Sequence, residues 1–281
     1  MIDLHTHSTA SDGSLSPPAL VQLAREKGIS CLALTDHNTV RGLPEFLAAA
    51  RISGLLPLPG IEISCELAGK ELHILALDLP ESSFQQMEEA MVQVLARAEK
   101  SKRALVSRLR QAGCAISYEQ IQQENPGSVI NRAHIALALK NAGYVPTVQA
   151  AFRTLLKEGG PYSRPPQRLL ATEAIAIIRE LNAIPVWAHP FLSLDEAAVR
   201  KALETLVPAG LEGMEVFYST YTPEQTRAAL ELAEAFHLKH SGGSDFHGAP
   251  KPDTMLGTGK GNLNIPQSVA EELLRGRRKK A

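Results

Sequence analysis

Short apolar runs alternate with helical patterns along the first 80 residues. Residues 1–8 and 29–35 read as strands, and between them Leu20, Leu23 and Ala24 recur at the spacing of three and four that gives a helix one buried face. Ser16 before Pro17 opens that helix and Gly28 closes it. A second helix is predicted over 43–52 and a strand over 55–67, after which Ala68-Gly69-Lys70 turns the chain into a strand over 72–79, making a hairpin. Residues 81–113 are helical throughout, which is long for one globular helix and predicts a bend or a domain boundary inside it.

From 114 to 166 the signals are helical only, in pieces over 118–123, 131–143 and 147–159, and the run Gly159-Gly160-Pro161-Tyr162 continuing to residue 166 reads as a linker. The alternation then returns, with helices over 172–181, 195–206 and 223–236 and strands over 183–189, 211–218 and 238–244. Repeated βα units of this length predict an α/β fold, a parallel sheet with helices outside, open or closed into a barrel. The domain boundaries that follow are 1–99 with 166–281 for the βα part and 100–165 for a helical insertion.

Composition adds little beyond exclusion. With 29 Lys plus Arg against 30 Asp plus Glu the net charge is −1, so no global field draws the chain onto long nucleic acids or anionic membranes. Cys31, Cys65 and Cys114 form no C-x-x-C pair and fit buried small hydrophobes in a reducing compartment. The start lacks the basic then apolar opening of a secretory signal, and no apolar run is long enough to span a bilayer, so a cytoplasmic protein without a membrane partner is expected. The basic run from Arg275 to Lys280 reads as a solvated end.

The histidines change the picture. Most of the 9 sit in polar pairs at the downstream ends of the strands. In Asp3-Leu4-His5-Thr6-His7 the strand period of two sends Asp3, His5 and His7 to one face. Asp12 lies in the loop that follows, and the other strands supply Asp36-His37, Glu62, His73, His189 and Asp245-Phe246-His247. His5, His7, Asp12, His37, Glu62, His73, His189, Asp245 and His247 are nitrogen and oxygen donors without a thiolate, suited to about two or three divalent ions. Burying so many polar groups without a metal or pairing would be costly.

Asp3-x-His5-x-His7, Asp12, Asp36-His37, Glu62, His73, His189-Pro190 and Gly243-Ser244-Asp245-Phe246-His247 resemble, in order, the motifs of the polymerase and histidinol phosphatase (PHP) family. The resemblance implies a distorted seven-stranded TIM-like βα barrel, (β/α)7, with a helical insertion and a trinuclear centre. It implies His5, His7, Glu62 and Asp245 on one ion, Glu62, His73 and His189 on a second, and Asp12, His37 and His247 on the third. Manganese is favoured, with zinc or iron as alternatives. Asp3 and Asp36, beside ligand histidines, are expected to orient imidazoles. Such a centre keeps about three positive charges after Asp12, Glu62 and Asp245 are counted and attracts a phosphate dianion. A metal-bound hydroxide bridging near Glu62 and Asp245 is the expected nucleophile.

The insertion, with Asn131-Arg132-Ala133-His134, resembles the helical module of family members that act on nucleotides. This implies hydrolysis of the 3′-phosphate of nucleoside 3′,5′-bisphosphates. Rival expectations are 5′-to-3′ trimming of short oligonucleotides, histidinol phosphate hydrolysis, or a non-catalytic metal-binding accessory domain. No obligatory protein partner is evident. A second phosphate needs further donors, and Arg103, Asn131, Arg132 and His134 are the candidates, Arg being suited to bidentate phosphate recognition.

Overall fold

Ser16 caps the first helix through its side chain, which accepts from the Ala19 amide, with Pro17 at the start of the helix as the sequence predicts. The computed structural model describes residues 1–125, 130, 132–157, 159–162 and 168–275. In chain order its elements are β1 (Ile2–Asp3), α1 (Pro17–Glu26), β2 (Cys31–Leu34), α2 (Leu43–Ser53), β3 (Leu56–Leu67), β4 (Lys70–Leu77), α3 (Phe84–Gln111), α4 (Tyr118–Glu124), α5 (Arg132–Asn141) and α6 (Val148–Arg153). They continue with β5 (Leu169–Leu170), α7 (Ala171–Glu180), β6 (Ile184–Ala188), α8 (Glu196–Leu206), β7 (Gly213–Tyr218), α9 (Pro223–Ala235), β8 (Lys239–Gly243) and α10 (Gln267–Leu273).

These form two units, one of Met1–Met91 with Leu169–Ala281 and one of Val92–Arg168. In the first, seven strands run in the order β1-β2-β3-β4-β6-β7-β8, with the short β5 beside β3. Pairing is parallel from β1 to β3 and from β6 to β8, and antiparallel where β4 lies between β3 and β6. Backbone hydrogen bonds from Leu4 to Gly242 (3.1 Å) and from Asp245 to His5 (2.9 Å) join the outer strands into a barrel. Gly243 permits this, because a Cβ there would lie 2.3 Å from His5 Cβ. The distorted seven-stranded α/β barrel implied by the motifs is the observed architecture.

The start of the strands is closed by apolar packing. Ile2, Leu4, Ala33, Leu58, Leu75, Ile184 and Val186 cluster with Leu263, Ile265 and, from α10, Val269, Ala270 and Leu273. At about 1.5–3 kcal/mol per fully buried aliphatic side chain, this plug contributes strongly to the fold.

The second unit has a core of its own, built from Leu105, Leu109, Ile116, Ile121, Ile135, Leu139 and Leu156. The unit boundary falls inside α3 at Val92, where the pattern had suggested residue 100. The early part of α3 serves the first unit: Met87 and Met91 are buried, and Glu88 accepts from the Thr39 hydroxyl and the Val40 amide. Among the described residues, no helix is long and apolar enough to cross a membrane. Cys31, Cys65 and Cys114 are buried and unbridged.

Candidate metal centre

All nine expected ligands belong to the barrel unit. His5 and His7 follow β1, with Asp12 in the next loop; His37 follows β2, Glu62 lies in β3, His73 in β4, His189 after β6, and Asp245 and His247 after β8. A parallel strand delivers its following loop to one end, so the topology gathers these residues opposite the apolar plug. Donor atoms of His5, His7, Glu62 and Asp245 all lie within 4.8 Å of one another, as do those of His7, Asp12, His37 and His247, and those of His37, Glu62 and His73. His189 stands outside these three groups but reaches them through Glu62 Oε1, to which its Nε2 lies at 3.0 Å and His73 Nδ1 at 2.7 Å.

The residues fit metal ions better than they fit each other. His5 Nε2 and His7 Nε2 face one another at 3.2 Å, and both lie within 3.2 Å of Glu62 Oε2. Yet Glu62 Oε2, His7 Nδ1 and His37 Nδ1 are buried with no hydrogen-bond partner among the described residues. Buried nitrogen and oxygen atoms crowded together at this density without hydrogen bonds mark a place built for something that accepts lone pairs. Burial opposes charge on Glu62, but the His37, His5 and His73 imidazoles outweigh it and hold this carboxyl well below its ordinary range. Burial likewise opposes the proton on His73, which Glu62 and then Glu71 push up to about 10. His37, desolvated and beside His7 and His73, is depressed to about 3 despite Glu62. Asp245 resists the effect of burial through His5 and His7 and lies far below the carboxylate range.

Asp3 and Asp36 do not orient imidazoles as expected. The Asp3 carboxylate accepts the backbone amides of Ser244 (2.8 Å), Gly257 (2.8 Å) and His5 (3.4 Å), because the chain leaves the ladder after Asp3 and amides fill the space around it. Burial pushes this carboxyl up to about 6 against those donors. Asp36, adjacent to His37 on an extended segment, points away from it and accepts the Ser8 amide (2.8 Å) and the Ser8 (2.7 Å) and Ser11 (2.6 Å) hydroxyls, fixing the loop that carries Asp12.

The orienting groups are others. His5 Nδ1 donates to Glu215 Oε1 at 3.1 Å, and His247 Nδ1 to the Asp245 carbonyl at 2.9 Å. Asp245 Oδ2 accepts from Tyr218 OH and Lys251 Nζ, each at 2.7 Å. Burial, then the Asp245 charge, keeps the Tyr218 phenol protonated far above its usual range. Glu215 and Lys251 were not anticipated. A Glu between Met214 and Val216 in an apolar strand was the available signal for the first; Lys251 carries none.

Of the expected substrate contacts, Asn131 lies outside the described residues. Arg103 pairs with Glu99 (2.8 Å) and Glu119 (2.7 Å) and stands over the Tyr118 ring. Arg132 donates to the Leu156 carbonyl and lies near the Phe152 ring. Partial burial, helped by Lys102, lowers the His134 imidazole pKa.

A βα barrel that gathers imidazoles and carboxylates at the loop end of its strands is the frame of a metal-dependent hydrolase. The chain belongs to the PHP domain family, whose model matches residues 3–179. It is 33% identical over 268 residues to a 5′-3′ exoribonuclease of Haemophilus influenzae, covering 95% of this chain and 96% of that protein. It is 29% identical over 253 residues to a 3′,5′-nucleoside bisphosphate phosphatase of Chromobacterium violaceum, covering 88% and 87%. A solved structure from Bifidobacterium adolescentis, provisionally assigned as a metal-dependent phosphoesterase, superposes with a TM-score of 0.74 at 29% identity, covering 97% of this chain and 94% of that one.

Proposed function

We propose that this chain is a metal-dependent phosphoesterase that hydrolyses the phosphate ester at the 3′ oxygen of a nucleotide, with nucleoside 3′,5′-bisphosphates as its substrates and 5′-mononucleotides as products. The observation that carries this reading is the meeting of eight nitrogen and oxygen donor residues, with His189 joined to them through Glu62, at one end of the barrel, three of their atoms buried without a hydrogen bond. Divalent ions bound there, with manganese favoured, supply an activated water and neutralise phosphate charge.

The protein's own groups do the rest. Glu62 sits centrally, one oxygen among His5, His7 and His37 and the other between His73 and His189. Tyr218 and Lys251 occupy Asp245 Oδ2, which leaves Oδ1 turned to His7 (3.3 Å) and His247 (3.4 Å). Lys251, whose side chain is 43% exposed, is the cation placed to meet an arriving phosphate.

A second reading, stepwise removal of 5′-mononucleotides from short RNA, is favoured by the higher identity and coverage of the exoribonuclease relative. Both reactions break a bond between phosphorus and a 3′ oxygen. They differ in whether the phosphorus carries another nucleoside. Catalytic efficiencies of one preparation on adenosine 3′,5′-bisphosphate, a 5′-phosphorylated RNA oligomer and histidinol phosphate decide between them. Preference for the bisphosphate is expected, and preference for the oligomer gives the second reading. No turnover of any phosphoester with added manganese overturns both.

A further inference from the structure

Glu215 lies in β7 with no exposure, between Met214 and Val216, which are buried as well. A carboxylate removed from water must be met by donors, and the two that meet it come from two different strand ends. His5 Nδ1 donates to Oε1 at 3.1 Å, and the His189 amide donates to Oε2 at 2.8 Å. The first bond fixes the His5 ring with a proton on Nδ1 and turns Nε2 toward Glu62 Oε2, 3.1 Å away. The second holds His189 at φ 34° and ψ 51°, a left-handed conformation that a non-glycine residue keeps only when its surroundings impose it. From that backbone the His189 ring reaches Glu62 Oε1 at 3.0 Å and stacks on the His5 ring at 5.7 Å.

The contacts close a ring. Glu62 joins His5 and His189 from inside the cluster, one imidazole on each oxygen, and Glu215 joins the same two residues from behind. We propose that Glu215 is a positioning residue that couples two ion positions, the one holding His5 and the one holding His189, so that both form together. This rests on the metal-dependent reading above. Among the described residues, the remaining group, His7, Asp12, His37 and His247, makes no hydrogen bond to Glu215 and lies outside the ring.

Glu215→Gln tests it. The amide keeps the shape and one acceptor, but its N–H groups facing His5 turn the imidazole proton toward the cluster. Chelator-stripped wild type and E215Q are titrated with manganese by calorimetry, bound ions are counted by elemental analysis, and circular dichroism confirms the fold. Two ion equivalents are expected to weaken together by about 10–100-fold, with any further equivalent unchanged. If E215Q does not fold, Glu215→Asp, which keeps both acceptors on a shorter stem, must show the same paired loss in milder form. Unchanged binding, loss of a single ion, or equal weakening of a third ion that the wild type binds overturns the coupling while leaving the metal-dependent reading intact. A wild type that binds no manganese overturns both.

Discussion

In the barrel unit, the His5, His7 and Glu62 side chains are fully buried and crowd one another, with His7 Nδ1 and Glu62 Oε2 lacking hydrogen-bond partners among the described residues. In the helical unit, the cations expected to bind substrate have partners already. Arg103 divides its guanidinium between Glu99 and Glu119, and Arg132 is held by the Leu156 carbonyl. Both arrangements come from charged residues at plausible spacing, and the sequence pattern alone treats them alike. The difference lies in what surrounds the charge: imidazoles and carboxylates buried against one another are tolerated where an ion completes them, whereas a guanidinium held by carboxylates or a carbonyl of its own unit is tied into that unit's fold.

Glu62 and Asp245 are the two positions where substitution should have the largest effect. Replacing either with Ala should lower turnover of adenosine 3′,5′-bisphosphate by about 10²–10³-fold or more, measured by phosphate release. Near-normal rates in both variants would remove the barrel cluster from the chemistry. Chelation should stop turnover, and manganese should restore it, with far-ultraviolet dichroism unchanged throughout; activity that persists after chelation contradicts the assignment. Lys251→Met should cost about 10–100-fold in kcat/KM and weaken inhibition by inorganic phosphate, with bound metal unchanged. Loss of metal without a change in phosphate inhibition would make Lys251 a support for Asp245 alone. The smallest effect on catalysis belongs to Arg132→Ala, which should lower stability by about 1–3 kcal/mol in denaturant unfolding while KM moves by less than about tenfold. A larger rise in KM with stability kept would bring Arg132 into substrate binding and erase the contrast between the units.

The strand and helix alternation was legible because most elements are long enough to show a period. The β3–β4 hairpin follows from its apolar runs and its Gly69 turn, and α3 from its continuous helical pattern. What stayed hidden is what has no period. Strand β5 has two residues, and α10 shows its purpose only through the strand starts that it seals. Most of the nine expected donors stand at or just after a strand end, where the fold converts sequence position into a place, whereas Glu62 lies midway along β3 and Asp12 in the loop beyond β1. Asp3 and Asp36 were misread because adjacency to a histidine in sequence says nothing about direction once a strand ends. Glu215 was passed over because its partners, His5 and His189, are far away along the chain.

The seam of the barrel, where Leu4 meets Gly242 and His5 meets Asp245, is made by the beginning of the chain and a strand near its close. His5, His7 and Asp12 stand on one side of that join and Asp245 and His247 on the other, so the cluster is incomplete until it is zipped. A partly folded chain has no complete cage with which to capture ions from its surroundings, and the ions in turn act as a clasp that rewards only the finished barrel. Stripped of them, the protein should loosen first along this line, with the amides of Leu4, His7 and Asp245 exchanging with solvent ahead of those in the apolar plug.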